Sequence, residues 1–391
     1  MITIIETIRY SEEHAPFNAA FSALLLKAFP EQAIEIYAHS SHIDNISKIL
    51  GKNGIALQSV NFKNIYVYPH QNKSFKILIC YLISLFQDIR LLLQAKNGIL
   101  FYTSANPVSL YFIKLANLLV RKKVFLVLHG ELEYLNKNND KIHRFPHNLI
   151  RKWYRLVFWK LLNKNIKYLV LGENIFNNIQ KIRKKPFSTK NFVVIDHPYF
   201  YPERQRLQES ETDQNQPLCV GTIGHTAVAK NSHKLFELAE QMAVSIAMRK
   251  ISFKIIGNIS KDMSPYHSQY VELQSKKCFM PREQFEKEVD SLSYIIFFYS
   301  DAQYQFIASG VFFDAIAFEK PIIALHNSFF DYYFGKYNDI GYLCHDLREM
   351  QEVLTHFDAQ RYLKQIENIK LLKKELSMDR IAIDLQRQIK N

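Results

Sequence analysis

Short apolar runs alternate along this chain with longer stretches of helical periodicity, and that alternation restricts the architecture more than any other feature. Neighbouring parallel strands need a crossover between them, which a helix usually supplies. Strand–helix alternation therefore predicts parallel sheets covered on both faces. In the first half, strands are expected at 2–6, 33–38, 65–68, 99–102, 124–128, 168–171 and 193–195, with a helix over 17–29 and others between most strands. In the second half, strands are expected at 218–223, 253–256, 294–299 and 322–325, with helices at 232–245 and 283–292. After Gly341, Tyr342 and Leu343 the chain ends in helices from 347 to 389.

Between the halves, YPERQRLQESETDQNQ (201–216) has no apolar periodicity and reads as a linker. The 391 residues exceed what one core usually organises. The expectation is α/β, with two doubly wound domains at 1–200 and 217–370 and a C-terminal helix over 371–391 that is free to cross back to the first domain.

Composition narrows the class. Hydrophobic residues at 48% and charged residues at 22% fit a folded protein. The net charge of +13 suits nucleic acid, anionic lipid or a polyanionic substrate. No zinc-finger spacing, RNA-recognition signature or Gly-Arg-rich tail supports nucleic acid. The four cysteines, Cys80, Cys219, Cys278 and Cys344, are far apart and read as reduced core thiols. The N-terminal MITIIETIRY is strand-like rather than a secretory signal. The most apolar span, 75–93, is broken by Lys76, Gln87, Asp88 and Arg90, and its unbroken part is too short to cross a bilayer. The expected location is the cytoplasm.

The run SGVFFDAIAFEKPIIA (309–324) reads as a small-residue turn, a helix, a Lys-Pro stop and a buried strand. The N–H groups at such a helix start favour a phosphate, placed at Ser309 and Gly310. Asp314 lies beyond the first turn, within reach of a ribose or sugar hydroxyl. A second run, VGTIGHTAVAKNSHKLFELAE (220–240), follows the first strand of the second half. Together these runs resemble the "GxxxxEAxAxGxPVIA" and "VGRxxxxKGxxxLLxA" segments of GT-B glycosyltransferases, in particular the group-4-like enzymes of bacterial surface polysaccharides. The resemblance implies two Rossmann-like domains facing a central cleft, with a nucleotide-sugar donor on the second. It implies that Lys230 neutralises the donor diphosphate, that Gly221 and Gly224 permit close backbone approach, and that His225 donates a hydrogen bond. Thr222 stands where the family has Arg, and Phe306 stands where it has its first acid. Tyr304 and Gln305 are left to contact the sugar. No acidic cluster suits a metal, so no metal and no cofactor besides the donor substrate is expected.

In the first half, LVLHGELEYL (126–135) ends a strand in His129-Gly130-Glu131. Strand C-termini line the crevice of open α/β sheets, so His129 or Glu131 is expected to act as general base, with Glu133 a lesser candidate. His14 and Asn18, in SEEHAPFN, are expected at the acceptor or as a helix cap. Ser104, ahead of Asn106-Pro107, is read the same way. Over 143–167, Arg151, Lys152, Arg155, Lys160 and Lys164 are interleaved with Trp153, Trp159 and other apolar residues, a pattern that suits docking on an anionic membrane or a core-facing helix with a basic outer side.

These features converge on a metal-independent, hexosyltransferase-type enzyme, peripheral at the inner face of the plasma membrane. Its acceptor would be lipid-linked or a cell-surface polysaccharide or lipopolysaccharide. A nucleotide-sugar 2-epimerase of the same plan, and a non-catalytic membrane- or polyanion-binding protein, stay open as alternatives.

Overall fold

The computed structural model describes residues 1–69, 74–95, 98–136, 147–160, 163–183, 189–202, 217–273 and 282–390. The chain divides into two units. One comprises Met1–Phe200, Phe306–Ala308 and Leu376–Asn391, and the other Tyr201–Gln305 with Ser309–Glu375.

The first unit runs β1 (Ile2–Ile5), α1 (Ala15–Ala28), β2 (Ile34–Ala38), α2 (Ser40–Lys52), β3 (Val60–Asn64), α3 (Ser74–Gln94) and β4 (Ile99–Tyr102). It continues through α4 (Pro107–Val120), β5 (Lys123–Leu128), α5 (His147–Lys160), β6 (Ile166–Leu171), α6 (Glu173–Ile182) and β7 (Phe192–Ile195). All seven strands are parallel, in the order β3-β2-β1-β4-β5-β6-β7. The order reverses between β1 and β4, where the helices that follow pass to opposite faces and leave a crevice at the strand ends. Strand side chains divide by parity. Phe101, Phe125 and Val127 join Phe21, Leu24 and Leu25 of α1 on one face. Leu100, Tyr102 and Leu126 join Leu92, Ile113, Phe158 and Ile179, from α3 to α6, on the other.

The second unit runs β8 (Leu218–Ile223), α7 (Lys234–Gln241), α8 (Ala243–Ala247), β9 (Ile251–Ile256), β10 (Val271–Leu273), α9 (Arg282–Asp290), β11 (Tyr294–Phe297) and α10 (Asp301–Tyr304). It continues through α11 (Gly310–Ala317), β12 (Ile322–Leu325), α12 (Ser328–Lys336), β13 (Gly341–Cys344), α13 (Leu347–Thr355) and α14 (Ala359–Glu375). Its six parallel strands take the order β10-β9-β8-β11-β12-β13. The last helix, α15 (Met378–Lys390), belongs to the first unit, where Ile381, Leu385 and Ile389 are buried against α1 and the sheet.

Several expectations shift. The third strand is 60–64 rather than 65–68. It is a polar edge strand with Val60 its one buried residue, while the more apolar Ile65 and Val67 pack into the core just past its end. The edge strand β10 and the short helix α10 carry no distinct apolar signal, and the aromatic run that forms α12, which buries Phe329, Phe330 and Tyr333, is not among the expected elements. The tail over 371–391 is not one helix but the end of α14 and the whole of α15. Of the linker, 203–216 lies outside the described residues, as does Cys278. Cys80, Cys219 and Cys344 are buried thiols.

Leu385 is fully buried under α1 and Ile383 on the same helix is 55% exposed, so the two separate docking from propensity. Leu385→Ala should lower unfolding free energy by about 2–5 kcal/mol and Ile383→Ala by less than about 0.5 kcal/mol, measured by urea denaturation.

Candidate functional site

In the second unit the strand-end loops after β8 and β9 cross at two glycines. Gly224, at φ 78°, donates its N–H to the Ile256 carbonyl at 2.8 Å. Gly257 sits at φ 121°, and a Cβ there would lie 2.3 Å from the Gly224 carbonyl oxygen, so no side chain fits. A Cβ on Gly224 would meet Val311 Cγ2 at 3.0 Å, which seats the first turn of α11 on this crossing. Ser309 caps that helix, accepting from the Phe312 N–H at 3.3 Å, and its hydroxyl donates to Tyr299 Oη at 3.3 Å.

One small pocket is lined by Thr222, His225, Lys230, Ser232, Tyr299 and Val311, among others. Lys230 Nζ donates to the His225 carbonyl at 2.8 Å, and burial holds its pKa below the usual lysine value. The Thr222 hydroxyl is buried with no hydrogen-bond partner. A cation short of compensating charge, an orphan hydroxyl and the first turn of α11, through Val311, therefore line one pocket, which holds only about 10 Å³ as its side chains stand. This is the chemistry that receives an anion.

In the first unit the centre of the strand-end crevice is a buried carboxylate, Glu6. It accepts from the Ile8 and Arg9 N–H groups at 3.0 Å each and from Asn18 Nδ2 at 3.3 Å. It also accepts from Thr103 Oγ1 at 2.9 Å and Ser104 Oγ at 2.8 Å. Burial alone would raise its pKa, but the Arg9 charge, His42 and the backbone donors bring it below the usual value. His42 Nδ1 donates to the Ser11 carbonyl at 2.8 Å, so its Nε2, 2.8 Å from Asn18 Nδ2, is the acceptor.

Three more imidazoles gather beside this hub. His14 precedes α1 in the left-handed conformation, at φ 58°, with its ring centroid 4.4 Å from that of His129. His197, just past β7, lies 5.8 Å from His129, and Phe17 touches both rings. Burial first, then the Arg9 charge, pushes His14 down to about 3 against the pull of Glu6. Burial takes His197 down to about 4, and His129 well below its usual value. All three are neutral at neutral pH. His129 Nδ1 and Arg9 Nε are buried without hydrogen-bond partners. Glu131 folds back to accept from the His129 N–H at 3.1 Å, and burial raises its pKa although Arg9 opposes this. Burial thus works against a proton on His129 and in favour of one on Glu131.

The structure brings His14, His129 and Glu131 together, and Thr222, His225 and Lys230 together in the pocket, with Gly224 behind Val311 and Ser309 bonded to Tyr299 at its edge. Other expectations need correction. Gly221 lies inside β8, where a Cβ would meet the Lys254 carbonyl at 2.8 Å and Leu292, so its missing side chain serves sheet packing. Asn18 and Ser104 are buried and hydrogen-bonded to Glu6, behind any ligand surface. The cap of α4 is Asn106, with Pro107 in the first turn. Tyr304 stacks on Tyr299 at 3.7 Å and 3°. Asp314 lies on the Tyr299 side of α11: burial pushes that hydroxyl up to about 12, and the Asp314 carboxylate acts in the same direction. Gln305 and Gly310 lie outside the pocket lining, and Phe306 is buried in the first unit's core. Glu6, Arg9, His42 and His197 were not singled out by the sequence.

Of the two readings left open for the basic helix α5, its packing fits the core-facing one. Trp159 packs on the core beneath the Arg183 guanidinium, which is 4.8 Å from its ring. Trp153 donates its indole N–H to the Pro107 carbonyl at 3.1 Å and meets Tyr111. Arg151 and Arg155 are half-buried and Lys152 is exposed, while the Lys160 side chain lies outside the described residues. Among the described residues, no three His, Cys, Asp or Glu side chains are grouped to hold a metal ion.

No protein-family model and no curated protein matches the sequence. Among solved structures, HepE of Anabaena in complex with UDP-glucose aligns over 100% of this chain and 98% of its own, with TM-score 0.62 and 11% identity. TarM of S. aureus aligns over 100% and 99%, with TM-score 0.63 and 13% identity. A Listeria monocytogenes protein assigned as a UDP-N-acetylglucosamine 2-epimerase aligns over 99% and 95%, with TM-score 0.57 and 11% identity. At such identities the likeness is one of fold, and the fold is GT-B.

The buried imidazoles make stability depend on pH. The unfolded chain protonates its histidines near their ordinary value of about 6.5, whereas folded His14 and His197 stay neutral down to about 3 and about 4. Between pH 6.5 and about 4 the unfolded state thus binds more protons, and stability falls as pH falls, by about 1.4 kcal/mol per pH unit for each histidine. Urea midpoints across that range should show this slope, and His197→Gln should flatten it.

Proposed function

We propose that this GT-B chain is a glycosyltransferase that takes a sugar from a nucleoside-diphosphate donor to a hydroxyl of a lipid-linked or cell-surface polysaccharide acceptor. The observation that carries this reading is the second unit's pocket, where Lys230, Thr222 and the start of α11 meet beside the Gly224–Gly257 crossing. The UDP complex of HepE and the UDP-glucose complex of the same protein support the choice of donor class.

In this reading the bond from the anomeric carbon to the diphosphate oxygen breaks, and the diphosphate leaves with the electron pair. Lys230 and the N–H groups at the start of α11 balance the growing negative charge. The acceptor oxygen bonds the anomeric carbon, and its proton passes to Glu131, whose raised pKa fits it to take one. Neutral His14 and His129 accompany it without adding positive charge. Binding to Lys230 is favoured because a diphosphate restores the charge balance that burial denies the ammonium.

The Listeria likeness and the histidine-rich crevice favour a second reading, a nucleotide-sugar 2-epimerase. Incubation with UDP-N-acetylglucosamine and no acceptor separates the two by NMR. An epimerase converts it to the 2-epimer, and a transferase leaves it intact or slowly hydrolyses it.

Two variants test the assignment. Lys230→Ala should weaken UDP binding roughly ten- to a hundredfold by calorimetry, with its melting temperature kept. Glu131→Gln should cut turnover by at least about a hundredfold while leaving UDP affinity unchanged. A Lys230→Ala protein that binds UDP as tightly as the wild type would overturn the donor site.

A further inference from the structure

Three neighbouring helices of the first unit turn apolar side chains away from the core. On α3, Leu78, Leu82 and Phe86 follow one another a turn apart, and Phe86 is 75% exposed. On α4, Phe112, Leu115 and Leu119 repeat the pattern, with Leu119 86% exposed. On α5, Leu149, Trp153 and Leu156 continue it. Helix α3 packs on α4 and α4 on α5, so the three stripes lie side by side. A soluble monomer rarely exposes contiguous apolar surface on this scale without using it.

The charges on the same helices have one sign. Arg90 and Lys152 are exposed, Lys76, Arg151 and Arg155 are partly exposed, and the exposed Arg121 and Lys123 flank the end of α4. The one acid within α3, α4 and α5 is Asp88, which is buried. It accepts from Thr7 Oγ1 at 2.8 Å and Ser84 Oγ at 3.1 Å, while its own carbonyl accepts from Tyr102 Oη at 2.9 Å. The outer surface of the three helices therefore shows leucine, aromatic and basic groups and no carboxylate.

Helix α3 is long and apolar enough to cross a membrane, and only 28% of its most apolar stretch, Lys76–Gln94, is buried. Spanning would strip Asp88 of its partners and break the contacts of Cys80, Leu91 and Leu92 with the core. The helix is instead fastened flat along the unit. Its C-terminal carbonyls, at Leu92 and Ala95, accept from Lys122 Nζ.

We propose that the α3–α4–α5 surface docks on an anionic lipid bilayer. The α3 and α4 stripes enter the boundary between headgroups and acyl chains, and the basic groups meet lipid phosphates. A bilayer accepts parallel apolar ridges of unequal height, whereas a protein partner must match them in shape. The absence of surface carboxylates on these helices matches a negatively charged plane. This inference differs from the tryptophan-centred docking expected of α5, since Trp159 faces the core, and it does not depend on the donor assignment.

The test is co-sedimentation of the whole protein with phosphatidylcholine vesicles, with and without phosphatidylglycerol. The wild type should bind the anionic vesicles at low salt, bind the neutral ones weakly, and keep a salt-resistant fraction. Phe86→Asp combined with Leu119→Asp should lower binding by at least about tenfold with an unchanged melting curve, because both side chains are exposed. As a second readout, Leu82→Cys carrying an environment-sensitive fluorophore should shift to the blue when anionic vesicles are added. Absence of wild-type binding overturns the proposal, as does full binding by the aspartate pair or a probe that does not shift. It is also overturned if the wild type is a dimer in solution that the aspartate pair turns into a monomer, because the surface would then be a contact between copies.

Discussion

The first unit depends on one buried carboxylate. A charge removed from water is tolerated only when its hydrogen-bonding capacity is nearly filled, and Glu6 has five donors to do so. Those donors come from the turn after β1, from α1 and from the end of β4, three pieces that must meet at the point where the strand order reverses. Glu6 thus fixes the mouth of the crevice. Asn18, held between Glu6 and His42, sets where α1 begins, and that places His14 against His129. Removing the carboxylate would leave several buried donors unsatisfied at once, a larger loss than any single bond.

The two units present opposite electrostatic problems. In the first, an acid is over-supplied with donors and the surrounding imidazoles are kept neutral by burial. In the second, Lys230 is under-supplied and has a backbone carbonyl as acceptor. The first arrangement suits the handling of a neutral hydroxyl and its proton. The second suits a ligand that arrives carrying negative charge.

How much of this could be read from the sequence follows from distance along the chain. The capped helix at Ser309, the Lys-Pro stop and the following strand are local, because each depends on neighbours within a turn or two. Lys230 is singled out only by the resemblance of 220–240 to a family segment, not by its neighbours in the chain. Glu6, His42 and His197 are not singled out at all, since each looks like an ordinary strand-end or helix residue until parallel pairing brings them together. The same applies to Gly221, whose missing side chain answers to β9 and Leu292 rather than to a ligand. The strand at 60–64 was missed because an edge strand buries little, and the apolar residues just after it drew the expectation instead. On α5 the alternation of bases and aromatics could not tell the buried Tyr154 and Phe158 from the exposed Leu156, which only helix packing decides.

The return of α15 to the first unit has a consequence for the order in which the chain assembles. Joining α1 to α15 closes a loop of most of the protein, and for a flexible chain of that length closure costs about 5 kcal/mol. The second unit removes most of that penalty. Lys373 Nζ donates to the Pro202 carbonyl at 3.2 Å, so the points where the chain enters and leaves that unit are already side by side once it has folded. The second unit then behaves as a compact insertion whose folding delivers α15 to its groove. A chain still being synthesised would hold a first unit whose groove beside α1 and β7 stays empty until the second was complete, and that groove would be the surface for a chaperone to shield in that interval.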